Sequence, residues 1–282
     1  MPSKVVLITG CSSGIGRATA LRLVRAGWIV YASARRLESI ADLEAEGCRL
    51  LALDVTDADS MEQTVSRIEA ESGAVGALVN NAGYSQSGAV EEVPLESIRR
   101  QFETNVFGLS ALTQRVLPKM REAGWGRIVN IGSMGGTLTF PGGGYYHATK
   151  YALEAISDAL RFEVQGFGID VVLVQPGLIR TSFDETAVAS MSEKGEGSGP
   201  YARFNAEVGR ITQSAYRDGL MAKLGGEPDD VARVIEIALS VRRPKPRYPV
   251  TWSARLLMLQ RRLLPDRWWD AFLGMNYPRP GR

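Results

Sequence analysis

The sequence predicts an α/β protein: a doubly wound parallel β-sheet with helices on both faces, in a single domain. Three observations carry this. Short apolar runs alternate with segments of helical periodicity from the first residues onward. The runs are continuous rather than alternating, as in strands buried on both faces. No linker-like stretch divides the repeats. The composition of the 282 residues, 45% hydrophobic and 23% charged, suits a globular chain able to bury a large core.

The first strand is Val5-Val6-Leu7-Ile8, followed by a glycine-rich loop and a helix over 15–26. WIVYASA (28–34) reads as the second strand and 37–46 as a helix. LLALDV (50–55) is the third strand, followed by a helix over about 60–72. ALV (77–79) is the fourth. The next helix, about 96–123, places Ile98, Phe102, Val106, Leu109, Leu112, Val116 and Met120 on one face. Residues 127–131 form strand five, 145–165 a helix, and DVVLVQ (170–175) strand six. Only 186–199 (TAVASMSEKGEGSG) reads as a mobile loop. It follows strand six, at the carboxyl edge where open α/β sheets bind ligands.

Chemistry-bearing residues collect at the same edge. TGCSSGIG (9–16) follows strand one directly and opens a helix. Free N–H groups and the positive dipole end make such a helix start an anion site, and Gly10, Gly14 and Gly16 let a ligand approach the backbone. Asn80-Asn81-Ala82-Gly83 follows strand four and Ser133 follows strand five. Asn105 lies beside the apolar face of the long helix, between Phe102 and Leu109. Tyr146 and Lys150 stand four residues apart and share a helix face. A cation near a phenol lowers its pKa from about 10, which suits proton transfer. His147 reads as structural, and Cys11 as a residue small enough for the loop.

These motifs resemble those of the short-chain dehydrogenase/reductase family: Thr-Gly-x3-Gly-x-Gly, Asn-Asn-Ala-Gly, Tyr-x3-Lys and Pro-Gly, in order over about residues 4–181. The resemblance implies a Rossmann-type fold and a tetrad of Asn105, Ser133, Tyr146 and Lys150. Tyr146 would move the proton. Lys150 would lower its pKa and bind the nicotinamide ribose, Ser133 would hold the substrate oxygen, and Asn105 would hold a water linked to Lys150. It implies a nicotinamide cofactor on Gly10, Ser12, Ser13, Gly14, Ile15 and Gly16, on Asn81, Ala82 and Gly83, and on Pro176, Gly177, Ile179 and Thr181. Asp54 and Val55 would meet the adenine.

NADP(H) is the expected cofactor. Ala34 fills the place of the carboxylate that NAD-specific sites use, and Arg35 and Arg36 follow it. Ser13 stands where some NADP enzymes carry a second basic residue. TGCSSGIG and VYASARR resemble the 17β-hydroxysteroid and retinol dehydrogenase branch and the acyl-dihydroxyacetone-phosphate reductases, which implies reduction of a bulky lipophilic ketone or aldehyde. Ser133, Met134, Leu138, Phe140, Tyr145 and Phe183 are candidate substrate contacts. The alternative is a nucleotide-binding or sensor protein that has lost catalysis.

A formal charge of +2 gives no case for nucleic acid, and two cysteines with one histidine give none for a metal site. The N-terminal apolar run is too short for a signal peptide, and no segment spans a bilayer, so a cytoplasmic protein is expected. Ala148, Ala152, Ala155 and Ala159 form a small-residue stripe, either against the protein's own sheet or in a homodimer or tetramer. The expected domain covers 1–252, with a mobile substrate loop at about 182–226, and the tail covers 253–282. Residues 242–282 hold ten basic and two acidic side chains, a local charge of +8. Basic residues, leucines and tryptophans interleave there. The tail reads as a pocket lid, a subunit contact or a membrane-surface segment.

Overall fold

The computed structural model describes residues 3–181, 199–217 and 219–281. Among them, seven strands form one parallel sheet: β1 (Val5–Ile8), β2 (Ile29–Ala34), β3 (Arg49–Ala52), β4 (Ala77–Asn80), β5 (Gly126–Ile131), β6 (Ile169–Pro176) and β7 (Arg247–Val250). Their order is β3-β2-β1-β4-β5-β6-β7. The chain winds outward from β1 on one side and from β4 on the other. The carboxyl ends of β1 and β4 therefore flank the point where ligands bind in such sheets.

Strand pleating sends alternate side chains to opposite faces, and each face has its own core. Val6 and Ile8 pack with Ala20 and Leu23 of α1 (Gly14–Arg25) and with Val231 and Ile235 of a later helix, Pro228–Ser240. Val5 and Leu7 face the other way. They pack with Met61 and Val65 of α2 (Ala58–Ser72) and with Leu112 and Val116 further along.

The long helix expected over 96–123 is three pieces: α3 (Leu95–Phe102), a π-helical turn (Glu103–Gly108) and α4 (Leu109–Glu122). In α3 the fully buried row is polar, Ser97 and Gln101, and continues into Asn105 of the π turn, while Ile98 and Phe102 are only half-buried. After the π turn the buried row is Leu109, Leu112, Val116 and Met120, as expected. The π turn is held close to the end of β3: a Cβ on Gly108 would stand 2.2 Å from the Val55 carbonyl oxygen.

Two other expectations are corrected and one strand is added. Residues 37–46 give only a 3-10 helix, Leu37–Leu43. The seventh strand, RYPV, was not read from the sequence because it contains Pro249. A proline is tolerated there because β7 is an edge strand paired only with β6. Part of the expected 182–226 loop is helix, since α5 (Gly144–Val164) and β6 are followed by α6 (Ala202–Arg217) and a 3-10 turn, Leu220–Leu224. Residues 182–198, with Phe183 and almost all of the 186–199 segment, lie outside the described residues. The helix Pro228–Ser240 is α7, and the tail forms α8 (Trp252–Leu263) and α9 (Asp266–Asn276).

Candidate active site

The glycine loop is fixed by hydrogen bonds from the segment after β4. The Thr9 hydroxyl oxygen accepts from the backbone N–H groups of Asn81 (3.0 Å) and Ala82 (2.9 Å). The Asn81 amide donates to the carbonyls of Thr9 (2.9 Å) and Gly10 (3.0 Å). Thr9, the first residue of the loop motif, thus ties β1 to the segment after β4 through its hydroxyl. Gly16 is a packing requirement: a Cβ there would stand 2.3 Å from the Gly10 carbonyl oxygen and 2.5 Å from the Asn81 amide. The first turn of α1 carries no acidic residue, so nothing opposes an anion at its N-terminus.

Behind the loop runs a buried amide chain that the sequence did not reveal. Asn80 donates to Asn130 (2.9 Å) and Thr113 (3.1 Å), and Asn130 donates to Ser157 (2.9 Å). It ties β4, β5, α4 and α5 together beneath the site. A buried amide without partners would cost about 1–3 kcal/mol, so this chain also fixes the register of the elements it joins.

Ser133, Tyr146 and Lys150 meet where β5 and α5 converge. Ser133 starts a short 3-10 turn, Met134–Gly136, its hydroxyl oxygen accepting from the Gly135 N–H at 3.0 Å. The same hydroxyl is hydrogen-bonded to Tyr146, which pulls the phenol's pKa down, but burial outweighs it and pushes the phenol up to about 12. Lys150 donates to the Ile131 carbonyl at 2.8 Å, its ammonium 5.7 Å from the centre of the Tyr146 ring. Burial lowers the ammonium to about 8. The expected drop in the Tyr146 pKa is thus not produced by these side chains, because desolvation of the phenolate dominates.

Asn105 is buried in the π turn, where its carbonyl oxygen accepts from the Tyr84 N–H (3.1 Å). Its amide donates to the Tyr84 carbonyl (2.9 Å) and the Thr149 hydroxyl (3.2 Å). It therefore joins the segment after β4 to α5, one residue from Lys150.

His147 does more than fill space. Its Nδ1 lies 3.1 Å from the Gly135 carbonyl, which makes Nδ1–H the donor and clamps the turn that carries Ser133. Burial pushes the ring down to about 4, so it is neutral at physiological pH. An unfolded histidine titrates near 6.5. Between about 6.5 and 4 the unfolded chain takes up a proton that the folded chain refuses, so stability falls with pH across that window. The loss should approach about 3 kcal/mol at 1.36 kcal/mol per pKa unit. Denaturant unfolding at stepped pH should show this slope, and His147→Gln should flatten it. An unchanged slope in the variant would assign the acid sensitivity to other groups.

One cavity of about 1130 Å³ collects most of the expected site. Gly10, Ser12, Ser13, Gly14 and Ile15 line it at the helix start, and Arg35, Asp54 and Val55 line it beyond β2 and β3. Asn81, Ala82 and Gly83 follow from β4, Ser133 and Met134 from β5, and Phe140, Tyr146 and Lys150 from α5 and the approach to it. Pro176, Gly177, Ile179 and Thr181 line it after β6. Asp54 is oriented by the backbone N–H and hydroxyl of Thr56, at 2.9 and 2.7 Å.

Other candidates lie elsewhere. Leu138 is fully buried beneath the lining in an apolar cluster, and the Tyr145 hydroxyl donates to the Val90 carbonyl, outside the cavity. Arg36 is not in the lining and begins the 3-10 turn with its own carbonyl bonded to Ser39. Cys11 is sealed: its thiol donates to the Ile8 carbonyl, and burial pushes it up to about 12.

The far wall comes from segments the sequence left undecided. Val208, Ile211 and Ala215 of α6 and Leu257, Phe272 and Tyr277 of the tail line the cavity. The tail is fastened at its root. The Thr251 hydroxyl caps α8 by accepting from the Ala254 N–H at 3.3 Å, and Ser253 accepts from the Leu178 N–H at 3.3 Å. Trp269 is buried beside Phe140 and Phe272, with ring centres 6.2 and 5.2 Å away. These contacts place the inner side of the tail in the wall of the cavity.

A parallel sheet with a glycine loop at its switch point, and a serine, tyrosine and lysine converging beside it, defines a dinucleotide-dependent oxidoreductase class. The short chain dehydrogenase family model matches residues 4–192, and the chain belongs to that family. It is 41% identical over 221 residues to the 3-ketodihydrosphingosine reductase of Bacteroides thetaiotaomicron, covering 78% of this chain and 79% of the other. It is 34% identical to the NADPH-dependent 3-dehydrocapnine reductase of Ornithobacterium rhinotracheale (95% of each chain). It is 35% identical to human retinol dehydrogenase 5 (98% and 90%). A solved short-chain dehydrogenase from Streptomyces avermitilis superposes with a TM-score of 0.78 at 37% identity, covering 97% and 95%.

Proposed function

We propose that the chain is an NADP(H)-dependent reductase of a bulky lipophilic ketone or aldehyde. The observation that carries this reading is one cavity lined at one end by the α1 start and Arg35, in the middle by Ser133, Tyr146 and Lys150, and beyond them by mostly apolar side chains of α6 and the tail, with Thr212 and Asn276 among them. The residues present suit the cofactor. Gly10, Ser12, Ser13, Gly14 and Ile15 would hold its pyrophosphate, Asp54 and Val55 its adenine, and Lys150 its nicotinamide ribose. When bound, NADPH supplies the hydride.

The rest is done by side chains. Ser133 holds the carbonyl oxygen by a hydrogen bond, and Tyr146 Oη gives its proton to that oxygen as it becomes an alcohol. A phenol at about 12 is protonated throughout the neutral range, which favours reduction. Lys150, at about 8, keeps its ammonium at neutral pH and steadies the phenolate left behind. Three of the relatives carry names of lipid or retinoid enzymes, which accords with the apolar far wall. NADPH oxidation measured with a panel of long-chain, steroidal and retinoid carbonyls against short polar ones tests the reading. Turnover confined to the polar ones would overturn the substrate class, and none with any carbonyl would overturn the reaction.

NADP preference rests on Ala34 and Arg35. Ala34 offers no carboxylate to repel a phosphate, and Arg35 is exposed at the cavity edge with no salt bridge among the described residues. Arg35→Ala should weaken NADPH binding about ten- to hundredfold, the worth of a charge-assisted hydrogen bond. NADH binding should be nearly unchanged. Equal losses by titration of both cofactors would make Arg35 a structural residue.

Self-association is proposed through α5. Ala148, Ala155 and Ala159 are exposed, and Ala152 is half-buried, so the stripe faces away from the protein's own sheet. Tyr151, Phe162 and Phe107 are exposed as well, at 44, 77 and 54%.

A further inference from the structure

The tail helices have two apolar faces, and the fold uses one. On α8, Ser253, Ala254 and Leu257 are buried, while Trp252, Leu256, Leu259 and Leu263 are 69, 51, 55 and 70% exposed. The exposed four are spaced by four, three and four residues, so they form one stripe. On α9, Trp269 is buried, whereas Trp268 and Met275, two turns apart, are 69 and 78% exposed. Two helices thus cover the cavity with one side and present large apolar side chains outward with the other.

Charge says what fits that outer side. Arg255 and Arg262 fall within the α8 stripe, and Arg267 adjoins Trp268; all three are exposed, and none is in a salt bridge among the described residues. The Arg255 guanidinium lies 5.5 Å over the Trp252 ring. Of the two acids, Asp266 is paired with Arg261 at 2.7 Å, which leaves Asp270. A second copy docked by two-fold symmetry would bring this basic patch against another copy of itself. An anionic lipid surface meets both features: headgroups take the arginines, and tryptophan and leucine side chains settle at the headgroup level.

We propose that the outer face of α8 and α9 is a docking surface for an anionic bilayer. Among the described residues no helix is long and apolar enough to cross a membrane, so the contact is peripheral. Seated this way, the helices that wall the cavity would lie at the lipid boundary, where a lipophilic carbonyl resides. That delivery role rests on the substrate class proposed above; vesicle binding does not, and it is read without cofactor or substrate.

The test is flotation of the full-length protein with phosphatidylglycerol-rich and with pure phosphatidylcholine vesicles, at low and high salt. Binding to the anionic vesicles at low salt, fading at high salt, is expected. Arg255→Gln with Arg262→Gln should lower the partition about 25-fold, at about fivefold per arginine near an anionic surface. Trp252→Ser with Leu256→Ser should lower it at least tenfold. Unfolding midpoints and sedimentation of the same variants report folding and assembly. No binding by the intact protein, or binding indifferent to both pairs, overturns the proposal. So does a dimer that the substitutions convert to monomer, because a second copy would then be what covers this face.

Discussion

Tyr146→Phe is expected to lower kcat by at least about 100-fold, the usual cost of losing a positioned general acid. The ring fills a packed place: its centre is 5.6 Å from that of His147, and the Lys150 ammonium is 5.7 Å away. Phenylalanine keeps that packing and removes only the hydroxyl. The fold and NADPH affinity should therefore survive while reduction fails. The kcat/KM loss should equal the kcat loss, since the proton moves only in the transition state. Stopped-flow turnover alongside cofactor titration would show this. Retention of more than about a tenth of the activity would remove Tyr146 from the proton-transfer role.

Gly16→Val is expected to damage both the fold and cofactor binding. The first added carbon would stand 2.3 Å from a backbone carbonyl and 2.5 Å from the amide that holds the loop. The first neighbour is backbone, and the second, the end of the Asn81 side chain, is tied by hydrogen bonds to the Thr9 and Gly10 carbonyls. Either the Thr9–Asn81 lock opens or α1 moves off β1. Overpacking of this kind costs about 1–3 kcal/mol, and occasionally more. Chemical denaturation should show that loss, and NADPH affinity should fall with it because the loop's N–H groups lose their common aim. Gly166→Val is the control, because nothing lies within 4 Å of its new carbon and, like Gly16, it has no positive φ. If the two substitutions cost the same, contact with the loop does not set the penalty at Gly16.

Much of the architecture was legible because strands of a parallel sheet leave apolar runs, and six of the seven strands were read from theirs. RYPV escaped because an edge strand needs fewer N–H donors and so tolerates Pro249. The site was legible where chemistry demands a fixed spacing, as between Tyr146 and Lys150. It was opaque where polar groups serve other protein groups. Ser97 and Gln101 are buried, yet a hydrophobic pattern counts them as solvent-facing. Thr9, Asn80 and His147 hold the frame through partners up to tens of residues away, and no local pattern marks such a pairing. Leu138 and Tyr145 show the opposite error. An apolar or aromatic residue near a site in sequence is as readily placed under the wall as in it.

The π turn at residues 103–108 sets the phase of everything after it. It carries one residue more than an α-helix would over the same rise, so α3 presents Ser97 and Gln101 inward while α4 presents Leu112, Val116 and Met120. Removing one residue there would give a more regular helix, which local energetics would welcome. It would also rotate α4 by about 100° relative to α3, the advance of a single helical residue. The buried row of α4 would swing off the sheet, or Asn105 would swing off Tyr84 and Thr149. The irregular turn lets a polar floor and an apolar support share one continuous rod. Insertions and deletions should therefore be harder to accept in this apparently imperfect stretch than in the regular turns on either side.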